Sequence, residues 1–353
     1  MRKALFLLIF SLLLVIPVSA DSLINEDELR EAMPEGVQAI VSSDSDKSLK
    51  NLWSELKFKS ISVFKDAEKR AASIIVVALI CGLLTVFSVS ENAPDYIQLC
   101  GCAAIAVICI GDMGSYIETA VNALNDLDIF SKAILPAMCT ACAACGAVNA
   151  AAAKYAVSAL FMDAFVTAVQ NVIVPLIYAY IAVIIAQAAF DNKSLSGIAK
   201  FLKWGSTGLM TVFTLAFTVY LSISSAISSS ADVVTTKVAK AAISAALPVV
   251  GGIISDAASS VVAGAEVIKN TVGVFGLVAV LGICVAPFAI LGINFLLYKA
   301  AALAVSAFSN QRLTNLVNGI GGAFGLILAS LGCCGIFIFI SIMSCIKAVS
   351  VVG

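Results

Sequence analysis

Histidine is missing from the chain altogether. That absence removes the commonest general base near neutral pH, the Ser-His and Cys-His nucleophile pairs, and the most frequent metal ligand. Charge is scarce as well. Asp, Glu, Lys and Arg make up 12% of the residues and sum to a net −1, so there is no basic field for nucleic acid and no acidic tail. The first cysteine is Cys81, and the polar stretch before it has none, which argues against a secreted disulfide framework. No glycine-rich loop precedes a Lys-Ser/Thr pair, so the phosphate loop of nucleotide-binding proteins is absent too.

What the chain has instead is apolar surface. Of its 353 residues 61% are hydrophobic, and its mean hydropathy is +1.05. Soluble domains hold roughly 45–50% apolar residues, and a soluble fold of this size has no interior large enough for more. Lipid is therefore the solvent for most of it. The fold class expected is all-α: a polytopic transmembrane helical protein of about seven spans, with a cleavable signal peptide and a small helical extracytoplasmic N-terminal region.

Residues 1–20 read as that signal peptide. Met1-Arg2-Lys3 is basic, Ala4 to Ile16 is apolar, and Pro17-Val18-Ser19-Ala20 offers small residues for cleavage after Ala20; the alternative is an uncleaved signal anchor. Residues 21–70 are polar and amphipathic. Leu49, Leu52, Trp53, Leu56, Ile61 and Phe64 recur at near-helical spacing among lysines, as in a helix resting at the headgroups.

A bilayer core takes about 20 apolar helical residues to cross. Seven windows qualify: Ala71–Val89, Ile97–Tyr116, Ala133–Ala153, Val172–Phe190, Gly205–Ala226, Thr271–Tyr298 and Gly319–Ile346. They put about five spans in 71–226 and about two in 271–353. Orientation is contested. A cleaved signal places residues 21–70 outside, with Lys65, Lys69 and Arg70 abutting the first span there, and seven passes put Lys193, Lys200 and Lys203 outside as well, against the excess of cytoplasmic Lys and Arg in membrane proteins.

Residues 227–270 are neither lipid-like nor ordinary soluble helix. Asp232, Thr236, Lys240 and Ser244 make a polar stripe at four-residue spacing, Leu247 to Gly252 interrupts it, and a second mixed helix carries Glu266 and Lys269. An amphipathic interfacial hairpin, a re-entrant pair and the lining of a wet cavity are all compatible with this pattern. Charges in or beside spans are hypotheses for function by default. Glu266 and Lys269 lie three apart and can neutralise each other, while Asp112 and Lys154 sit near window ends, where long side chains reach water cheaply. Asp163 and Lys299 are harder to excuse; Glu118 is a further charge beside a span. Gly321 and Gly325 have the spacing of close helix packing. Cys139-x-x-Cys142-x-x-Cys145 has a cluster-ligand spacing but no fourth thiolate and only alanine flanks, and Cys333-Cys334 is no better placed; packing between helices is the better reading of both. No catalytic set, cofactor or metal site is expected.

Several blocks in the second half resemble one family in order and spacing. They are Asn171-Val172-Ile173-Val174-Pro175-Leu176-Ile177, Thr236-Lys237, Leu247-Pro248-Val249-Val250-Gly251, Ser255-Asp256-Ala257, Val267 to Val274, and Leu297-Tyr298-Lys299-Ala300-Ala301-Ala302. Together they resemble the stage III sporulation protein AE family over roughly residues 165–345, with residues 21–150 similar in layout only. The resemblance implies a non-enzymatic multi-pass component of a channel or secretion-like complex linking mother cell and forespore, needed late in endospore development. It implies the mother-cell membrane around the forespore as the location. The partners it implies are sibling stage III sporulation proteins and a forespore-side protein, beside the bilayer itself; nucleic acid is not among them. A stand-alone secondary transporter is the competing function, motivated by the helix break near Pro248 and Gly251. An intramembrane hydrolase is a third, with only Asp112 and Asp163 to offer and no supporting motif.

Overall fold

The computed structural model describes the backbone of residues 31–34, 38, 45–88, 93–144, 148–190, 193–246 and 251–347. It describes side chains for residues 31–34, 38, 61–88, 93–111, 113–144, 151–190, 194–223 and 271–346. The expected signal segment and the break at 247–250 lie outside these residues. The described secondary structure is helical: α1 (Ser45–Val86), α2 (Ala93–Ala144), α3 (Val148–Ala168), a π-helical turn (Val169–Ile173), α4 (Val174–Phe190), α5 (Lys193–Ala246), α6 (Gly251–Phe308) and α7 (Gln311–Lys347). Helices are the expected answer to lipid, where each backbone polar group must be satisfied within its own segment.

Among the described residues six helical segments are long and apolar enough to cross a membrane, one fewer than the seven windows read from the sequence. The difference arises in the second and third windows. α2 runs unbroken for 52 residues through the polar stretch 117–132, and the third window straddles the end of α2 and the start of α3. Six passes also put the start of α5 at the opposite end of the bundle from the start of α1. Lys193, Lys200 and Lys203 therefore lie on the face away from residues 45–60, while Lys65, Lys69 and Arg70 stay on the same side as residues 45–60. α1 is continuous across residue 70, and α5 and α6 are continuous across 226 and 270, so the polar segments are extensions of membrane helices.

One end of the bundle gathers three helix-to-helix connections. Gly82 of α1 lies against the Phe308 carbonyl of α6, Gly101 of α2 faces Cys81 and Leu313, and Gly319 of α7 faces Ile184 of α4. This is called the near end below. Exposed Phe87, Tyr96, Phe190, Phe201, Trp204 and Phe308 ring it, the arrangement of an aromatic belt at a membrane interface. α7 is the central element and packs against α2, α3, α4, α5 and α6. Its small residues permit this: Gly321 meets Tyr298, and Gly325 meets the Phe295 ring of α6. Farther along, Phe165, Phe217 and Phe337 stack with centroids 4.6 and 4.8 Å apart, joining α3, α5 and α7.

Local chemistry explains how polar residues survive in these helices. On α5, Ser206, Thr207, Thr211, Thr214, Thr218 and Ser222 each donate to the carbonyl one turn back. Pro175 has no N–H to give the carbonyl four residues before it. The π turn immediately upstream absorbs the missing bond, the Val174 amide reaching back to the Val169 carbonyl. The block Asn171 to Ile177, one of those resembling the sporulation family, is this turn.

Candidate functional site

Helix length sets the frame. At 1.5 Å per residue, α2 is about 78 Å long and the span Thr271–Phe308 is about 57 Å, whereas a hydrocarbon core is about 30 Å thick. Both helices are therefore longer than one perpendicular crossing requires. Glu118 is roughly 37 Å along α2 from Ala93, and Asp163 lies about 40 Å along the chain from Phe190.

The outer surface of the half away from the near end is two-faced. On α2, exposed Glu118, Asn122, Asn125 and Lys132 recur at helical spacing. On α3 and the π turn, Asp163 and Thr167 are exposed, Gln170 is half-buried, and the three follow the same rule. The two stripes join in antiparallel register. Gln170 Nε2 donates to Asn125 Oδ1 at 2.6 Å, and two turns farther on Lys132 Nζ donates to Asp163 Oδ1 at 3.5 Å and to Asp128 Oδ2 at 2.7 Å. Across the bundle the same levels carry exposed Leu215, Val219 and Ile223 on α5 and Val274 and Leu281 on α6. One side carries the polar stripe, interrupted by exposed Ile129 and Leu160, and the other is apolar.

The structure scatters the residues singled out from the sequence. Asp163 joins the polar face through Lys132. Lys299 sits near the other end, donating to the carbonyl and to Oδ1 of Asn318 at 3.2 and 2.6 Å, with Phe295 beneath its ammonium. Gly321 and Gly325 pack α7 against α6. Asp232, Thr236, Lys240 and Ser244 fall on the extension of α5, and Glu266 and Lys269 on that of α6; their side chains, like that of Asp112, lie outside the described residues.

Lys154 is a correction. It does not reach water: the side chain is 1% exposed, and its ammonium donates to the Ser344 carbonyl at 2.7 Å. Ser344 is one of the last four residues of α7, whose carbonyls have no helical partner, so a cation from α3 caps the negative end of α7. Cys142 donates its thiol to the neighbouring Cys345 carbonyl at 3.3 Å, a second cap on the same helix end. Cys139 is buried beside it, and among the described residues no cluster of His, Cys, Asp or Glu has the arrangement of a metal site.

Two features escaped the sequence reading. The stripe Glu118, Asn122, Asn125 and Lys132 is legible as a period of three to four residues, but it falls between two apolar windows and so passed as a connection. Arg70, read as the last residue outside the membrane, turns inward, where its guanidinium donates to buried Asn294 Oδ1 at 3.4 Å and lies 5.2 Å from the Tyr116 ring centre.

Comparison with known proteins fits this picture. The family described as stage III sporulation protein AE matches residues 32–349. That range reaches well upstream of the blocks quoted above. The protein named stage III sporulation protein AE in Bacillus subtilis (strain 168) is similar to this chain, 24% identical over 286 residues that cover 79% of this chain and 71% of that protein. No solved structure matches.

Proposed function

The chain belongs to the stage III sporulation protein AE family, and from that premise we propose that it is a non-enzymatic subunit of the channel or secretion-like complex joining mother cell and forespore. In this reading it sits in the mother-cell membrane around the forespore, beside sibling stage III proteins, and meets a forespore-side partner. The observation that carries the proposal is the exposed polar face of α2 and α3, joined by the Gln170–Asn125 and Lys132–Asp163 bonds. A polar face left against lipid costs several kcal/mol in unmet hydrogen bonds. Such a face is better matched by water in a conduit or by a neighbouring subunit than by lipid.

The test uses sporulating cells. Deleting the gene arrests development after engulfment and leaves vegetative growth unchanged. The double variant Asn125→Leu with Gln170→Leu removes the bonded pair at the centre of the face. It is expected to insert in the membrane at the normal level, to lose co-purification with its partners, and to yield few heat-resistant spores. A deletion strain that sporulates normally rejects the sporulation complex as the site of action. A double variant with unchanged partners and spore yield rejects the α2–α3 face as its working surface.

A further inference from the structure

A second polar feature lies at the near end, away from the polar α2–α3 face. A cavity of about 440 Å³ opens between the end of α4, the start of α5, the end of α6 and the start of α7. Lys200, Lys203, Lys299 and Arg312 all line it, and no carboxylate does so among the described residues. Asp95 of α2, outside the lining, pairs with Arg312 at 3.2 Å.

The clustering is built by the fold. Gly321 and Gly322 lie side by side on α7. A Cβ on Gly321 would stand 3.7 Å from Lys299 Cδ, and one on Gly322 would stand 3.8 Å from Lys203 Nζ. Two lysines from α6 and α5 are thus drawn onto one glycine pair, where like charges repel unless an anion joins them. α5 and α7 both begin at the cavity, with Ser196 and Gln311 from their first turns in its wall, so the positive ends of two helix dipoles add to the four cations. Phe190, Phe201 and Trp204, next in sequence to residues of its wall, expose 78%, 64% and 69% of their surface, as aromatic side chains enriched at membrane interfaces do.

We propose that this cavity is a binding site for the phosphate-bearing headgroup of an anionic phospholipid. The ligand chemistry is a phosphodiester, gripped by Lys200, Lys203, Lys299 and Arg312 in a pocket with no opposing acid in its wall. Lipid is the source favoured because the cavity opens between helix ends within the aromatic ring, where headgroups are present at high local concentration. A basic pocket between membrane helices is a recurrent form of such recognition. The site is independent of the polar α2–α3 face and of the complex proposed above.

The test takes the purified full-length protein in detergent and measures its unfolding temperature. Three additions are compared: phosphatidylglycerol, phosphatidylcholine, and inorganic phosphate at millimolar concentration. The wild type is expected to be stabilised by phosphatidylglycerol in a saturable manner and by neither of the others. Lys200→Gln and Lys203→Gln each weaken the apparent affinity about fivefold, and the double variant about thirtyfold. Lys65→Gln, exposed on α1, leaves it unchanged. Equal stabilisation by inorganic phosphate assigns the site to a free anion and overturns the lipid source. Insensitivity to both phosphatidylglycerol and phosphate, as expected if an acidic partner protein fills the cavity, overturns the proposal. So does a phosphatidylglycerol effect that survives both lysine substitutions.

Discussion

Gly82 lets α1 approach the end of α6 closely, and replacing it tests the packing directly. A Cβ at this position would collide with the Phe308 carbonyl oxygen, with the carbonyl carbon at 3.2 Å and Ser309 Cα at 4.0 Å. All three are backbone atoms of the α6 end, so no side chain can rotate away, and Gly82→Ala must push α1 and α6 apart. Overpacking of this kind costs about 1–3 kcal/mol. Ala recovers about 0.5–1 kcal/mol over Gly inside a helix. Because the obstruction is rigid, the upper part of the overpacking range applies, leaving a net loss of about 2 kcal/mol, or roughly thirtyfold in the folded-to-unfolded ratio. Gly208 on α5 is the matched control, because nothing lies within 4 Å of its Cβ direction; Gly208→Ala is expected to stabilise by about 0.5–1 kcal/mol. Reversible unfolding of both variants in one detergent, followed by circular dichroism, reads the difference. If Gly82→Ala is as stable as Gly208→Ala, the crossing of α1 and α6 near Phe308 is not as described.

Two further outcomes are expected. Lys154→Met keeps the volume but removes the cation capping α7, which lowers stability by about 1.5–3 kcal/mol and speeds amide exchange in the last turn of α7; unchanged exchange there rules out the capping role. Cysteines placed at Asp232, Thr236, Lys240 and Ser244 in sporulating cells are expected to react with a charged thiol reagent while those at Val238 and Ile243 stay protected. Uniform reactivity at all six positions removes the argument for a wetted stripe.

Much of this architecture is legible in residue order because its physics is local. Apolar windows specify lipid as solvent, and lipid specifies helix, since a backbone out of water must bond within its own segment. The absence of histidine is equally local, and so are the blocks that resemble the sporulation family. Span count depends on more. Hydropathy read the polar stretch 117–132 as a connection between two spans. In the structure it is the exposed face of one long helix, because Leu124, Leu127, Phe130 and Ile134 on its other side are buried in the bundle. Lys154 was misread for a similar reason: from its own neighbourhood it sits near a span end, and only the approach of α7, some 190 residues later, supplies the carbonyl that holds it inside.

The amino-acid sequence alone determined the solvent, the helical class and the family of this protein. Tertiary structure decided which charges meet. Lys200 and Lys203 come from one helix, Lys299 and Arg312 from two others, and no spacing rule links them. They converge because glycines on α7 let three helix ends close around one cavity. Asn125 and Gln170 likewise become a pair only when α2 and α3 fold antiparallel. Periodicity along a chain reports which face of a helix is polar, but what that face meets depends on contacts between residues far apart in sequence.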